Sequence, residues 1–120
     1  MRILGKKYEI LASKYLKDNN YKIIETNFNT PMGELDIVAK DGGTLVFVEV
    51  KARKNSHYEP YESVVKSKIK KIIKASLIYV KSKGIKNTEI RYDVVSIKGD
   101  LSDPEISLIK NAFNAEGYFI

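Results

Sequence analysis

Gly33-Glu34-Leu35-Asp36-Ile37-Val38-Ala39-Lys40-Asp41-Gly42-Gly43-Thr44-Leu45-Val46-Phe47-Val48-Glu49-Val50-Lys51-Ala52 is the stretch that decides the fold. Glu34 to Lys40 and Thr44 to Ala52 are aliphatic and rich in β-branched residues, and a Gly-Gly pair between two such runs is a strong hairpin signal. The second run is apolar at every position from Leu45 except Glu49 and Lys51. Near-continuous hydrophobicity predicts a central strand covered on both faces, where two charges are costly unless paired or bound to something.

Side chains alternate along a strand, so Glu49 and Lys51 share a face. If Gly42 and Gly43 form the turn, Asp41 pairs with Thr44. Continuing that register puts Asp36 opposite Glu49 and Glu34 opposite Lys51. Directly opposed residues have Cβ atoms about 5 Å apart, and like charges so placed repel. Two carboxylates meeting on a buried face call for a cation between them. A hard divalent ion such as Mg²⁺ fits, held by one or two carboxylates, waters and substrate phosphate. Lys51 would then orient water or neutralise charge developing on a phosphate. The alternative reading is a structural cluster in which Lys51 satisfies both acids.

Outward from the hairpin, Leu4, Tyr8, Leu11 and Tyr15 recur with helical spacing, predicting a helix over about 3–19 that stops at Asp18-Asn19-Asn20. Glu9 lies at the edge of its apolar face, in line with Ala12 and Leu16, where it can point at the sheet. Tyr21 to Phe28 reads as a strand, and Thr30-Pro31-Met32-Gly33 as a turn. A loop of about ten residues, Arg53 to Glu62, leads to a helix over roughly 63–83, with an apolar stripe of Val65, Ile69, Ile72, Ile73 and Val80 and a terminating Gly84. Ile90 to Ile97 is a further strand, and Ile106–Ile109 a short last edge strand. The order α-β-β-β-α-β-β predicts an α/β fold, a mixed sheet with helices packed against it.

The chain has 120 residues, the size of one domain, so 1–120 is read as a single unit. It has no cysteine and a single histidine, which excludes disulfides, thiolate chemistry and a multi-histidine metal centre. No apolar run approaches the roughly 20 residues of a membrane helix, and no signal-peptide core follows Met1, so a cytoplasmic protein is expected. Lysine and arginine total 21 against 15 acids, a net charge of +6 that suggests a polyanionic partner, nucleic acid first.

Asp36 followed by Glu49-Val50-Lys51 resembles the Asp…(Asp/Glu)-X-Lys signature of the PD-(D/E)XK nuclease superfamily. The longer strings, Gly33 to Ala39 and Leu45 to Arg53, resemble the YraN-type family, which is assigned as endonucleases by inference from relatives and is similar to archaeal Holliday-junction resolvases. Gly5, Glu9, Asn27, Val64 with Lys68, Arg91-Tyr92-Asp93-Val94-Val95 and Asn111-Ala112-Phe113 also match; Tyr8 departs, where the family often has glycine. The resemblance implies a restriction-endonuclease-like αβββαβ core, with Asp36 and Glu49 as metal ligands, Lys51 as catalytic lysine and Glu9 as an accessory acid that joins the metal site. It implies Mg²⁺ as cofactor, with Mn²⁺ as the alternative, DNA (branched or structured) as substrate, and a homodimer, because junction resolvases need two active sites. RNA is left open.

For nucleic-acid contacts we single out Arg53, Lys54, Lys66, Lys68 and Lys71, while a merely solvated lysine face reads equally well. The loop Arg53 to Tyr61 interleaves basic and aromatic groups; it would grip nucleic acid or simply be a surface loop, and His57 within it is read as silent. Arg91 and Asp93 are expected to form a structural ion pair, and Tyr8, Tyr15 and Tyr79 to pack in the core. The rival to a nuclease is a non-catalytic nucleic-acid-binding or assembly module that keeps the fold.

Overall fold

The computed structural model describes residues 3–53 and 66–115. The order is α1 (Ile3–Asp18), β1 (Lys22–Thr30), β2 (Gly33–Asp41), β3 (Thr44–Arg53), α2 (Lys66–Ser82), β4 (Ile90–Lys98) and β5 (Glu105–Phe113), as the sequence predicts. The strands lie in one sheet in chain order. All neighbours are antiparallel except β3 and β4, which run parallel through the α2 crossover. This mixed α/β arrangement is compatible with an αβββαβ restriction-endonuclease-like core carrying a fifth strand.

Both helices stop by the same device. Asn20, at φ 70°, and Gly84, at φ 64°, adopt the left-handed conformation just past α1 and α2. The next residues then bond back across the last turn, Tyr21 N–H to the Leu16 carbonyl and Ile85 N–H to that of Val80. These are Schellman ends, in which the apolar residue after the cap packs against the helix it closes.

Each face of the sheet receives one helix. Tyr8, Ala12 and Leu16 of α1 pack with Ile37, Ala39, Val46, Val48, Val95 and Ile97. Ile72, Ile73, Ala75 and Tyr79 of α2 pack with Leu35, Val38, Leu45, Phe47 and Tyr92 on the other face. The buried seam of α1 is thus Tyr8–Ala12–Leu16, rotated from the expected stripe: Leu11 and Tyr15 are only partly buried, and the side chain of Leu4 lies outside the described ones. Val65 and the start of the second helix expected at 63 also lie outside the described residues.

The last strand is longer than Ile106–Ile109. Past Ile109 it runs through exposed Lys110, Asn111 and Ala112, so the sequence shows no alternation there, and Asn111 looks like a turn residue. Asn111 instead takes φ 55° within the strand, at an irregularity of the β4–β5 ladder. Its N–H donates to Asp93 Oδ1 at 2.9 Å. Asp93, fully buried, also accepts from Tyr21 Oη at 2.8 Å and from Arg91 Nε at 2.9 Å, and Arg91 reaches on to Asp41 at 2.8 Å. The Arg91–Asp93 pair is therefore a structural tie that joins β4, β5, the end of β2 and the residue capping α1.

Truncation of Asp93 leaves Arg91, Tyr21 and the Asn111 N–H without their shared acceptor. Asp93→Ala is expected to destabilise the protein by about 3–5 kcal/mol, the usual cost of breaking a buried pair from one side; the midpoint of urea unfolding measures it.

Candidate active site

The β2–β3 ladder runs in the expected register from Asp41↔Thr44 to Ile37↔Val48, and there it ends. The predicted oppositions of Asp36 to Glu49 and Glu34 to Lys51 are therefore not ladder pairs. Glu34 pairs instead with Asn29 of β1. The Asp36 carboxylate takes the place of a strand carbonyl, its Oδ2 accepting the Val50 N–H at 2.9 Å. The backbone cause sits in the strand before it. Asn27 has φ 55° and falls between Thr26↔Ile37 and Phe28↔Leu35, where regular register would set it against Asp36. Asparagine visits the left-handed region at low cost, so β1 can kink there without a glycine. The kink shows in the packing: Leu35 lies in the α2 cluster and Ile37 in the α1 cluster, although plain alternation would put both on one side.

Asp36 stands where these distortions meet. Carboxylate oxygens of Glu9, Glu34 and Asp36 all lie within 4.8 Å of one another, so α1 and β2 together deliver three hard oxygen donors to one place. The Glu9 carboxyl is raised above the ordinary value, first by burial and then by the charge of Asp36, with Glu34 adding to the effect. Asn27 stands beside Glu9 and favours its ionised form. Glu49 approaches the same Asp36 from the other face. Leu45 and Phe47 point to α2, and Glu49 and Lys51 follow in alternation.

Glu49 is only 4% exposed. Lys68 of α2 and Lys51 are its cations, at 3.5 and 3.8 Å from Oε2. Both distances exceed the about 2.7–2.9 Å of a charge-assisted hydrogen bond, so the charge is only loosely compensated. Burial above all, then the charge of Asp36 and a hydrogen bond shared with it, push the Glu49 carboxyl up to about 8. Below about pH 8 and without a cation, Glu49 therefore holds its proton beside Asp36. A divalent cation would replace that proton, and the donor set, all carboxylate oxygen, suits Mg²⁺ or Mn²⁺.

Of the expected site residues, the structure gathers Glu9 and Asp36 in one acid group and sets Glu49, with Lys51 beside it, against Asp36. Glu34, expected with Glu9 to support the site, is the third member of the acid group, and Lys68, expected to meet phosphate, is a partner of Glu49. Lys66 and Lys71 are exposed on α2, with Lys71 backing the Gly33 turn. Arg53 ends β3 and is exposed. Lys54, His57 and Val64, with the rest of the loop to Glu62, lie outside the described residues. Sequence reasoning missed Ser96, the β4 residue in register with Lys51. Its hydroxyl is buried and has no hydrogen-bond partner among the described residues. No sequence signal marks it, since one serine in an apolar strand is unremarkable until its neighbour is known.

The sequence profile of the uncharacterised protein family UPF0102 matches residues 8–97. A UPF0102 protein of Desulfosudis oleivorans is 45% identical over 112 residues, covering 92% of this chain and 89% of its own. One of Geobacter metallireducens is 46% identical over 111 residues, covering 92% and 91%. One of Vibrio vulnificus is 42% identical over 114 residues, covering 92% of both. The chain belongs to the UPF0102 family.

A carboxyl whose folded value is raised binds its proton more tightly in the native state. It therefore stabilises the fold below its unfolded value, and that stability is lost as pH rises through the folded one. In EDTA the wild-type protein is expected to lose stability between pH 4.5 and about 8 as Glu49 ionises. Glu49→Gln, which cannot ionise, should flatten most of that slope; urea unfolding across this range measures both.

Proposed function

We propose that this member of the UPF0102 family is a Mg²⁺- or Mn²⁺-dependent endonuclease that hydrolyses phosphodiester bonds in DNA, with branched or otherwise structured DNA as the preferred substrate. The observation that carries the reading is the position of Asp36. It links the Glu9–Glu34 acids on one side to the buried Glu49, with Lys51 and Lys68, on the other. The resemblance of Asp36 and Glu49-Val50-Lys51 to the PD-(D/E)XK signature supports the same assignment.

In this reading Asp36, Glu49 and Glu9 hold the cation, and Glu34 completes the acid group. A bound divalent ion lowers the pKa of a coordinated water and neutralises charge on the phosphate. The protein's own groups do the rest. Asp36 is fixed by the Val50 N–H, so it needs no reorganisation on binding. Lys51 projects from the same strand face as Glu49 and would orient the attacking water or meet the negative charge that builds on the phosphate. Lys68 keeps Glu49 from repelling the substrate.

Mg²⁺ and Mn²⁺ binding by calorimetry, with cleavage of labelled linear, single-stranded, flapped and four-way DNA, tests the proposal. Wild type should bind metal and cut at least one substrate. Asp36→Asn and Glu49→Gln should lose both properties, and Lys51→Ala should keep metal binding but lose at least a hundredfold in rate, the lower range for a residue acting on transition-state charge. Salt-dependent DNA binding that ignores both Mg²⁺ and Asp36→Asn, without cleavage, would instead support the binding-module reading.

A further inference from the structure

Alongside the acid group, α1 and β1 enclose a cleft of about 320 Å³ that the sequence gives no reason to expect. One wall is a single face of α1 carrying Lys6, Ile10, Ser13, Lys14 and Lys17; the other is Thr26 and Asn27 of β1. Glu9 lines the cleft too and is a member of the group of Glu9, Glu34 and Asp36, so the cleft and the acid group share a residue. These α1 positions recur at helical spacing opposite the buried seam of Tyr8, Ala12 and Leu16, so the face that lines the cleft is the one not used by the core.

Three properties specify what the cleft takes. It is basic: three lysines stand against one carboxylate, and Lys6 already bears on the charge of Glu9. It has an apolar patch, because Ile10 is 60% exposed in the middle of the lysines. It is small, at the low end of the about 300–1,000 Å³ of small-ligand pockets, which admits a nucleotide-sized group and not a duplex. Lys14 pairs with Asp18 at 3.2 Å, but both side chains are largely exposed, and such a surface pair yields readily to a phosphate.

We propose that this cleft is a subsite for an unpaired nucleotide of the strand to be cut, with its phosphates on Lys14 and Lys17 and its sugar and base against Ile10. The inference rests on the nuclease reading above and adds to it a preference for substrates with a single-stranded flank beside the scissile bond. A groove that tracks the backbone with positive charge and offers apolar contact to the base is how unpaired strands are held without sequence preference.

The test is the fluorescence anisotropy of a short labelled oligothymidylate, in EDTA and at low salt, so that binding is read without cleavage. Lys14→Gln/Lys17→Gln is expected to weaken binding at least tenfold and to reduce the salt slope by about 1.4, two phosphates at about 0.7 each for single strands. Ile10→Ser should weaken it threefold or more. Lys14→Arg/Lys17→Arg should restore wild-type binding, and Lys70→Gln/Lys81→Gln on the exposed side of α2 should stay within twofold. Thermal melts matching wild type exclude misfolding. If the α1 double variant binds within twofold of wild type, or the α2 variant loses as much, the cleft is not the subsite, while the nuclease proposal stands. If wild type binds no single-stranded, duplex or branched DNA, the DNA reading falls and the subsite with it.

Discussion

The site depends on one hydrogen bond made in the wrong place for a sheet. At Val50 the β2–β3 ladder has ended, and an unpaired backbone N–H on a central strand would be costly. The Asp36 side chain supplies the missing acceptor. In doing so it leaves the plane of the regular alternation and becomes reachable from both faces of the sheet. Glu9 of α1 comes from one side and Glu49, backed by α2, from the other. Neither helix could contribute to a common centre if β2 and β3 stayed zipped, because the sheet would stand between them.

The protein uses the same device a second time, in a very different charge environment. Asp93 also accepts a backbone N–H at a ladder irregularity beside a left-handed asparagine, that of Asn111. There the charge is matched at once by the Arg91 guanidinium at 2.9 Å and the Tyr21 hydroxyl at 2.8 Å. At Asp36 the neighbours are other acids. Glu49 is buried with its lysines at 3.5 and 3.8 Å, and both Glu49 and Glu9 are displaced towards the protonated form. A fold that can satisfy Asp93 so fully has no need to leave four carboxylates crowded elsewhere for stability. The crowding is a standing cost that a bound cation would remove.

Much of this was legible in the sequence, and the limits have physical causes. Gly42-Gly43 sets the hairpin and with it the true register as far as Ile37 and Val48. The extrapolation beyond that point fails because a pairing rule assumes continuous strands. The break is coded by Asn27, a residue whose left-handed φ cannot be told from its identity, since Asn29 and Asn114 share the type without appearing among the positive-φ residues. Alternation still places Glu49 and Lys51 on one face, because β3 remains regular on its β4 side. The edge strand β5 was foreshortened for the opposite reason. A strand with one exposed face and a polar tail carries too few apolar positions to show its period.

The lysines show why a net charge of +6 does not by itself locate a partner. Their roles divide by what lies beneath them. Lys68, from the face singled out for phosphate, turns inward to Glu49. Lys83 stands 5.7 Å from the ring centres of both Phe28 and Tyr79 and pairs with Glu25 at 3.6 Å, serving the packing of α2 on β1. Lys110 pairs with Asp41 at the far end of the sheet. The lysines of α1 differ in having a cleft beside them, an exposed isoleucine among them and Glu9 of the acid group in its lining. Positive charge would become a recognition surface where a shaped cleft and a group of chemically suited side chains accompany it. On this chain that combination falls on the helix with fewer lysines, because that is the helix whose Glu9 reaches Asp36.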